Sequence, residues 1–305
     1  MTGVSAIDSE LQSVMIERKL LFTIAKDRRE YERSVTLTPS LISKLIAQKV
    51  DLFVFVERSW CSTIQFPPKS WAKAEQSAAL LYVISYDEWF KAIGRKSRNM
   101  IRKAEKRGVR VSVAEPNKKF AEGIWKIYNS TPMKQNGRNW YFGITLQQVE
   151  KELSSPGIRS FIGAYFQDEL IGFISIAYGD NLVLIDHLAS LKKHWDKAVN
   201  NVLIAKAIEI CAANNAKWVL YAAWKNWREH QSLIDFALHN GFRRFKLTRY
   251  YVPLTRKGQI ATKMFIRNEA NPIVESPRYS IHSPTLFSRV DSVTQFLDRT
   301  IIKRA

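Results

Sequence analysis

Asp186 and His187 close a short apolar run, Leu182, Val183, Leu184 and Ile185, and a basic turn with Lys192, Lys193 and Lys197 follows them. An imidazole titrates near neutral pH and accepts a proton there, and a carboxylate beside it can do the same when its surroundings raise its affinity. On an ideal strand the two side chains point to opposite faces, so the alternation predicts that only one of them faces a cleft. The lysines stand before a second apolar pattern, Val199, Val202, Leu203, Ala207 and Ile210, whose spacing gives one buried helix face. A strand that turns into a helix presents N–H groups without helical partners, and this suits a phosphate, a carboxylate or a developing oxyanion. Lysines beside that start favour phosphate, and Asp196 is placed to cap the helix.

The rest of the chain must position these groups. Its 305 residues hold about two domains by length alone. An apolar fraction of 46% with 12% aromatic residues supports a sizeable core and argues against disorder. Against 28 acidic residues stand 47 Lys and Arg, a formal charge of +19, which favours a polyanionic partner such as RNA, an anionic surface or a phosphorylated cosubstrate. The two cysteines, Cys61 and Cys211, lie far apart and predict a reducing compartment without a disulfide framework. There is no run of membrane-spanning length and no secretory h-region, so the expectation is a soluble, cytoplasmic protein. The five histidines show no zinc-like spacing, and neither a Walker loop, a Gly-x-Ser-x-Gly elbow nor a dinucleotide fingerprint occurs. No metal is expected.

Residues 1–108 read as a smaller α/β lobe. Thr38 and Pro39 make a helix start, 50–57 and 78–84 read as strands, and Ser85 with Glu88 forms a capping-box pattern. A basic helix ends the lobe. It carries Arg98, Arg102, Lys103 and Lys106, candidate contacts to a nucleic-acid backbone, and Gly108 is its C-terminal stop. Residues 109–255 follow as strand, two helices around a polar aromatic loop (130–143), a hairpin turning at Gln167, Asp168 and Glu169, and then the strand–turn–helix described above. The strand at 218–223 should lie parallel to the one at 182, because a helix joins them. A helix ending at Gly241 and a last strand at 245–254 complete this part. Residues 256–305 are a C-terminal extension, with an amphipathic helix marked by Val290, Val293, Phe296, Leu297 and Ile301.

That order over residues 109–254, about half the chain, resembles the GNAT acyltransferase fold, a mixed sheet flanked by helices. The turn into Gly241-Phe242 is similar to that superfamily's last-helix ending. The superfamily's glycine-rich acyl-CoA turn has a counterpart without glycine, Trp195 to Asn200, and Ala237 stands where a tyrosine often precedes the Gly-Phe pair. The run SYDEWFKAIGRKSRNMIRKAEKRGVRV is similar to a segment of the Fem-type transferases, double GNAT-like enzymes that use aminoacyl-tRNA. Ala189-Ser190 and Asn201-Val202-Leu203-Ile204 stand at two further positions of that pattern. The likeness implies that the first lobe is a reduced second GNAT-like lobe.

The resemblance also implies chemistry. A strand splayed from its neighbour leaves a backbone N–H for the acyl carbonyl, near Leu188, Ala189 and Ser190, and the donor's phosphates would lie at Lys197, Ala198, Val199, Asn200 and Asn201. Asp186 or His187 would take the amine proton, and Tyr221, or Tyr250 on the last strand, would protonate the leaving group. Arg138, Trp140, Tyr141 and Trp224 would frame a small-molecule or peptide amine acceptor. The expected function is N-acyl transfer from acyl-CoA, acetyl-CoA first. The alternatives are an aminoacyl-tRNA-dependent Fem-like transferase and an inactive module that binds RNA or protein.

Overall fold

The computed structural model describes residues 11, 14–19, 21–27, 37–57, 68, 71–134, 137–139, 141–154, 159–179, 181–223 and 231–270. The elements run β1 (Val14–Lys19), β2 (Phe22–Asp27), α1 (Pro39–Ala47), β3 (Leu52–Glu57), β4 (Ala72–Tyr82), α2 (Tyr86–Ala92), α3 (Arg95–Lys106), β5 (Arg110–Ala114) and α4 (Lys118–Tyr128). They continue with the short strands β6 (Met133–Lys134) and β7 (Gly137–Arg138), α5 (Leu146–Leu153), β8 (Arg159–Phe166), β9 (Glu169–Gly179), β10 (Leu182–Ser190) and a 3-10 turn (Lys192–Lys197). Last come α6 (Val199–Ala213), β11 (Trp218–Ala223), α7 (Gln231–His239), β12 (Arg243–Pro253) and α8 (Arg256–Ala270).

Local chemistry sets most of these boundaries. Thr38 Oγ1 accepts from Leu41 N at 3.0 Å with Pro39 at the first turn, and Thr145 and Gln148 close a reciprocal capping box on α5. Gly108 and Gly241, at φ +80° and +90°, take the left-handed step that ends α3 and α7. The hairpin between β8 and β9 turns at Gln167 and Asp168, both at positive φ, as a two-residue primed turn requires. Strands β1 and β2 and helix α8 lie in stretches whose sequence alone suggested no element. The helix expected around 290–301 lies outside the described residues.

Ten strands form one mixed sheet in the order β1-β2-β3-β12-β4-β11-β10-β9-β8-β5. The pairing of β10 with β11 is parallel, as the intervening helix requires, and β2 with β3 is also parallel. The last strand, β12, runs between β3 and β4, so strands from both sides of residue 108 share this sheet.

Two neighbouring residues of β9 show how the sheet is covered. A Cβ on Gly172 would meet Val199 Cγ1 at 2.6 Å, so this residue faces α6. Phe173 points the other way, edge-on to Phe120 and Tyr128 of α4. Helices α4 and α5 therefore cover one face and α6 the other, with α2 and α3 packed beside α6. Farther along the sheet, Phe53, Phe55 and Tyr250 pack on α1, while Val54 and Tyr251 face α8. No helix among the described residues is long and apolar enough to cross a membrane.

Gly172 lets β9 and the start of α6 approach closely, and Ser190 Cβ and Ala189 O would also lie within 3.2 Å of an added Cβ. Gly172→Val should cost about 2–3 kcal/mol by overpacking. Urea unfolding checks this, and a midpoint equal to wild type would mean that the contact is not tight.

Candidate active site

The register of β10 against β9 slips by one residue at Asp186. Ile185 pairs with Ile176 and His187 with Ser175, which leaves Asp186 as the extra residue of a bulge. Before the bulge the even-numbered residues Leu182 and Leu184 face the α4 side, and Asp186 continues that series. After it the parity reverses and His187 faces the same side. Its ring stacks on Phe173 at 5.4 Å and meets Tyr128 and Tyr141 edge-on at 5.3 and 4.7 Å. The expectation that alternation would send Asp186 and His187 to opposite faces is thus corrected: the inserted residue puts both beneath α4 and α5.

Beneath these helices lies a compact polar cluster. Asp186 Oδ2 is 3.0 Å from Arg159 Nη2, and the two side chains are 7% and 10% exposed. The pair is close by distance but lies off the hydrogen-bonding direction. Arg159 Nε and Asp186 Oδ1 are buried without hydrogen-bond partners among the described residues. The Ser175 hydroxyl donates to Asp186. A cavity of about 20 Å³, room for roughly one water, is lined by Tyr128, Glu152, Arg159, Ser175 and His187 with apolar walls that include Phe173.

Burial raises the affinity of both carboxylates for protons. For Asp186 it outweighs the opposing Arg159 charge and the Ser175 bond, and for Glu152 burial is joined by the Asp186 charge against Arg159. Burial also pushes the Tyr128 and Tyr141 phenols up, so both stay protonated at neutral pH. The cluster sets two carboxylates against one guanidinium, with the phenols neutral.

Two strands part beside this cluster. Parallel pairing of β10 with β11 ends at Ile185 and Tyr221, after which β10 follows β9 to Ser190 while β11 stays with β4 through Ala223. The chain then turns through the 3-10 segment into α6. Ala198 caps that helix in the left-handed conformation (φ 55°, ψ 36°), and among the described residues its start has no side-chain cap hydrogen bond. Asp196, expected at the cap, instead pairs with Arg107 at the end of α3 and with Lys197. Lys197 Nζ also lies 4.7 Å above the Phe166 ring. Leu188, Ala189 and Ser190 end β10, Lys197 ends the 3-10 turn, and Ala198, Val199, Asn200 and Asn201 begin α6. Among these Ala189, Ala198 and Val199 are buried, and Asn201 Nδ2 is 3.4 Å from Asn240 Oδ1.

Several expected site residues lie elsewhere. Tyr221 points to the opposite face, against Phe236 and Phe242, because its parity on β11 follows Val219. Tyr250 packs between Phe55 and Trp71 and sits three strands from β10, roughly 14 Å by strand spacing. It does not reach the parted strands, because β12 is inserted beside β3 rather than beside β11. Tyr141 does reach the site and stacks on Tyr128 at 4.4 Å. Arg138 lies on β7, paired with Met133, while Trp140 and Trp224 fall outside the described residues. On α3, Arg98 Nη1 donates to the carbonyls of Lys91 and Ile93 at the end of α2, and Arg102 sits over the Phe90 ring at 5.4 Å. Arg95, Lys96, Arg102 and Lys106 are exposed, and Lys103 is partly so.

Glu152, Arg159, Ser175 and Tyr128 escaped the sequence reading. One signal for Glu152 was available: it lies three residues after Val149, on the buried stripe of α5. Among the described residues no group of three or more His, Cys, Asp or Glu is placed to hold a metal ion.

Because folding raises the proton affinity of Asp186 and Glu152, the native chain holds protons that the unfolded chain has released. Their contribution to stability is fully present below the ordinary values of 3.8 and 4.5 and is lost as pH rises through the raised folded values. Arg159 limits that loss. Arg159→Met should cost about 3 kcal/mol at pH 8 and much less at pH 4, where the carboxylates are protonated. Equal losses in chemical denaturation at both pH values would rule out the ion-pair account.

No protein-family model and no curated protein sequence matches the chain. Solved structures match in shape. FemX superimposes with a TM-score of 0.58 at 10% identity, covering 82% of this chain and 85% of that one. L-PGS from Bacillus licheniformis gives 0.55 at 12% identity over 83% and 84%. A tandem GNAT protein from the clavulanic acid biosynthesis pathway gives 0.42 at 12% identity over 79% and 78%. At such identities a likeness speaks to the fold alone, and the first two carry it. The chain has a GNAT-like fold of the Fem type, a mixed sheet flanked by helices.

Proposed function

We propose that this chain is an N-acyltransferase that moves an acyl group from acyl-CoA to an amine. The observation that carries this reading is the parting of β10 from β11 just where β10 leads into a helix start without a side-chain cap. The donor's acyl carbonyl would enter the parting beside Leu188–Ser190 backbone, and its phosphates would meet the α6 N-terminus and Lys197. Beside it, His187 takes a proton from the acceptor's ammonium group, and Asp186 supports the charge that results. The free amine then attacks the thioester carbon. The C–N bond forms, the C–S bond breaks, and the second nitrogen proton ends on the departing thiolate. Tyr141 and Tyr128, rather than Tyr221 or Tyr250, pack on His187, and we assign the less buried Tyr141 to the acceptor side.

Residues 109–255 carry this site in our reading, with 1–108 as a preceding lobe and 256–305 as an extension. A reducing, cytoplasmic setting suits the sparse cysteines, of which Cys211 is buried with its thiol pushed up to about 12 by desolvation. The acceptor is a small-molecule or peptide amine.

A second reading, an aminoacyl-tRNA donor, is favoured by the exposed basic face of α3, which Arg107 and Asp196 tie to the donor turn. An inactive binding module is favoured by the glycine-free turn. Melting the protein with acetyl-CoA, free CoA, and charged or uncharged tRNA separates the three readings. A ligand at a hundredfold its dissociation constant should stabilise by about 2.7 kcal/mol. We expect a shift with the CoA species. A shift with tRNA alone, larger when charged, would replace the donor, and silence from all would favour the binding module. His187→Ala should lower turnover by about 10²–10⁴-fold with the melting temperature nearly unchanged. If tRNA binds, Arg102→Glu with Lys106→Glu should weaken binding and flatten its salt dependence by about one to two logarithmic units of slope. Arg98 is avoided in that test because its guanidinium holds the end of α2.

A further inference from the structure

We infer that Glu152 is a positioning residue that, with Asp186 and Arg159, stores one proton behind His187. The inference rests on the proposed transferase reading for its purpose, but its physical content concerns the cluster alone. The cavity is lined by Tyr128 of α4, Glu152 of α5, Arg159 of β8, Ser175 of β9 and His187 of β10, while Tyr141 packs on His187 and Asp186 lies against Arg159. The groups among these able to bear charge are the two carboxylates, the guanidinium and the imidazole. Two largely desolvated carboxylates that repel each other and share the attraction of one guanidinium do not both stay ionised without a further positive charge or a proton.

The cavity supplies the connection. Its volume of about 20 Å³ suits one water. Arg159, whose Nε is buried without a hydrogen-bond partner among the described residues, and Ser175, which donates to Asp186, line this space and provide bonds that such a water needs. Glu152 and His187 line the same space. A proton leaving the acceptor's ammonium breaks an N–H bond and forms one on the imidazole. The imidazolium then passes it through the water to whichever carboxylate is ionised, and exchange with solvent resets the cluster after product leaves. The nitrogen's second proton goes to the thiolate, so protons and charge balance without any other reactant. The carboxylate pair thereby raises the proton affinity of His187 from a position that never touches substrate.

The test reads His187 directly in the full-length chain with no ligand present. Its imidazole is titrated by ¹H–¹⁵N NMR in wild type, Glu152→Gln, Asp186→Asn and the double variant, with exposed Glu209→Gln as a control for general charge effects. Each single variant leaves one ionised carboxylate and should keep the His187 midpoint within about 0.2 pH unit of wild type, whereas the double variant removes the shared negative charge and should lower it by about half a pH unit or more. If the double variant does not fold, the single variants decide, since a drop of half a unit in either would mean two ionised carboxylates and no stored proton. Such a drop, or a folded double variant within about 0.1 unit of wild type, would overturn the inference. In turnover assays, the acid limb of the kcat/KM profile should move with the NMR midpoint, which a purely structural role for Glu152 would not produce. Absent turnover in the wild type would count against the transferase reading alone, because the NMR coupling decides the proton store independently.

Discussion

The extra residue at Asp186 is the constraint on which the site depends. In a regular strand the carboxylate and the imidazole would be separated by the sheet, one among the apolar side chains of α6 and the other beneath α4. The bulge reverses the alternation after Asp186 and brings both to the α4 side, where Phe173, Tyr128 and Tyr141 enclose the imidazole. It also falls where β10 stops pairing with β11. One local irregularity therefore gathers the titratable groups and marks where the strands part. A buried charge in such a place requires an opposite charge nearby, and Arg159 at the start of β8 supplies it across the sheet.

The turn into α6 is held in place without a glycine-rich loop. Ala198 occupies the left-handed region, which costs a residue with a Cβ about 1–2 kcal/mol. Surrounding contacts hold it there: Val199 packs on Gly172, Arg107 and Lys197 hold Asp196, and the 3-10 segment is tied back to Leu191 and Trp195. The start of α6 is thus fixed by packing rather than by backbone freedom. A rigid helix start preserves the direction of its N–H groups, which is the feature an anionic ligand uses. The lack of glycine removes a familiar motif without removing the physical basis of an anion site.

Insertion of β12 beside β3 and β4 explains why the last-strand tyrosines take no part. The ten strands behave as one layer whose two ends serve different cores. Tyr250 stabilises the α1 end through Phe55 and Trp71, and Tyr251 packs toward α8. The basic helix α3 also has a structural use, since Arg98 satisfies carbonyls of α2 and Arg107 reaches the turn into α6. Its exposed cations remain as the surface through which a polyanion would be felt.

The sequence by itself determined the elements whose signals are local. Caps at Thr38 and Thr145, stops at Gly108 and Gly241, the hairpin turn at Gln167 and Asp168, and the parallel crossover from β10 to β11 all follow from short-range stereochemistry and hydrophobic period. The strand–turn–helix at the centre was legible for the same reason, as were Asp186 and His187 as titratable groups, although β10 runs on past them to Ser190. Tertiary structure alone decided which groups meet. A bulge leaves no mark on composition, since a single unpaired residue changes neither period nor propensity enough to be read from one strand. Glu152 and Arg159 belong to different elements and become partners only when α5 lies across β8 and β10, and Tyr250 was lost from the site by strand order. Those outcomes depend on long-range register and topology, which the packing of the whole sheet settles and no single stretch of chain encodes.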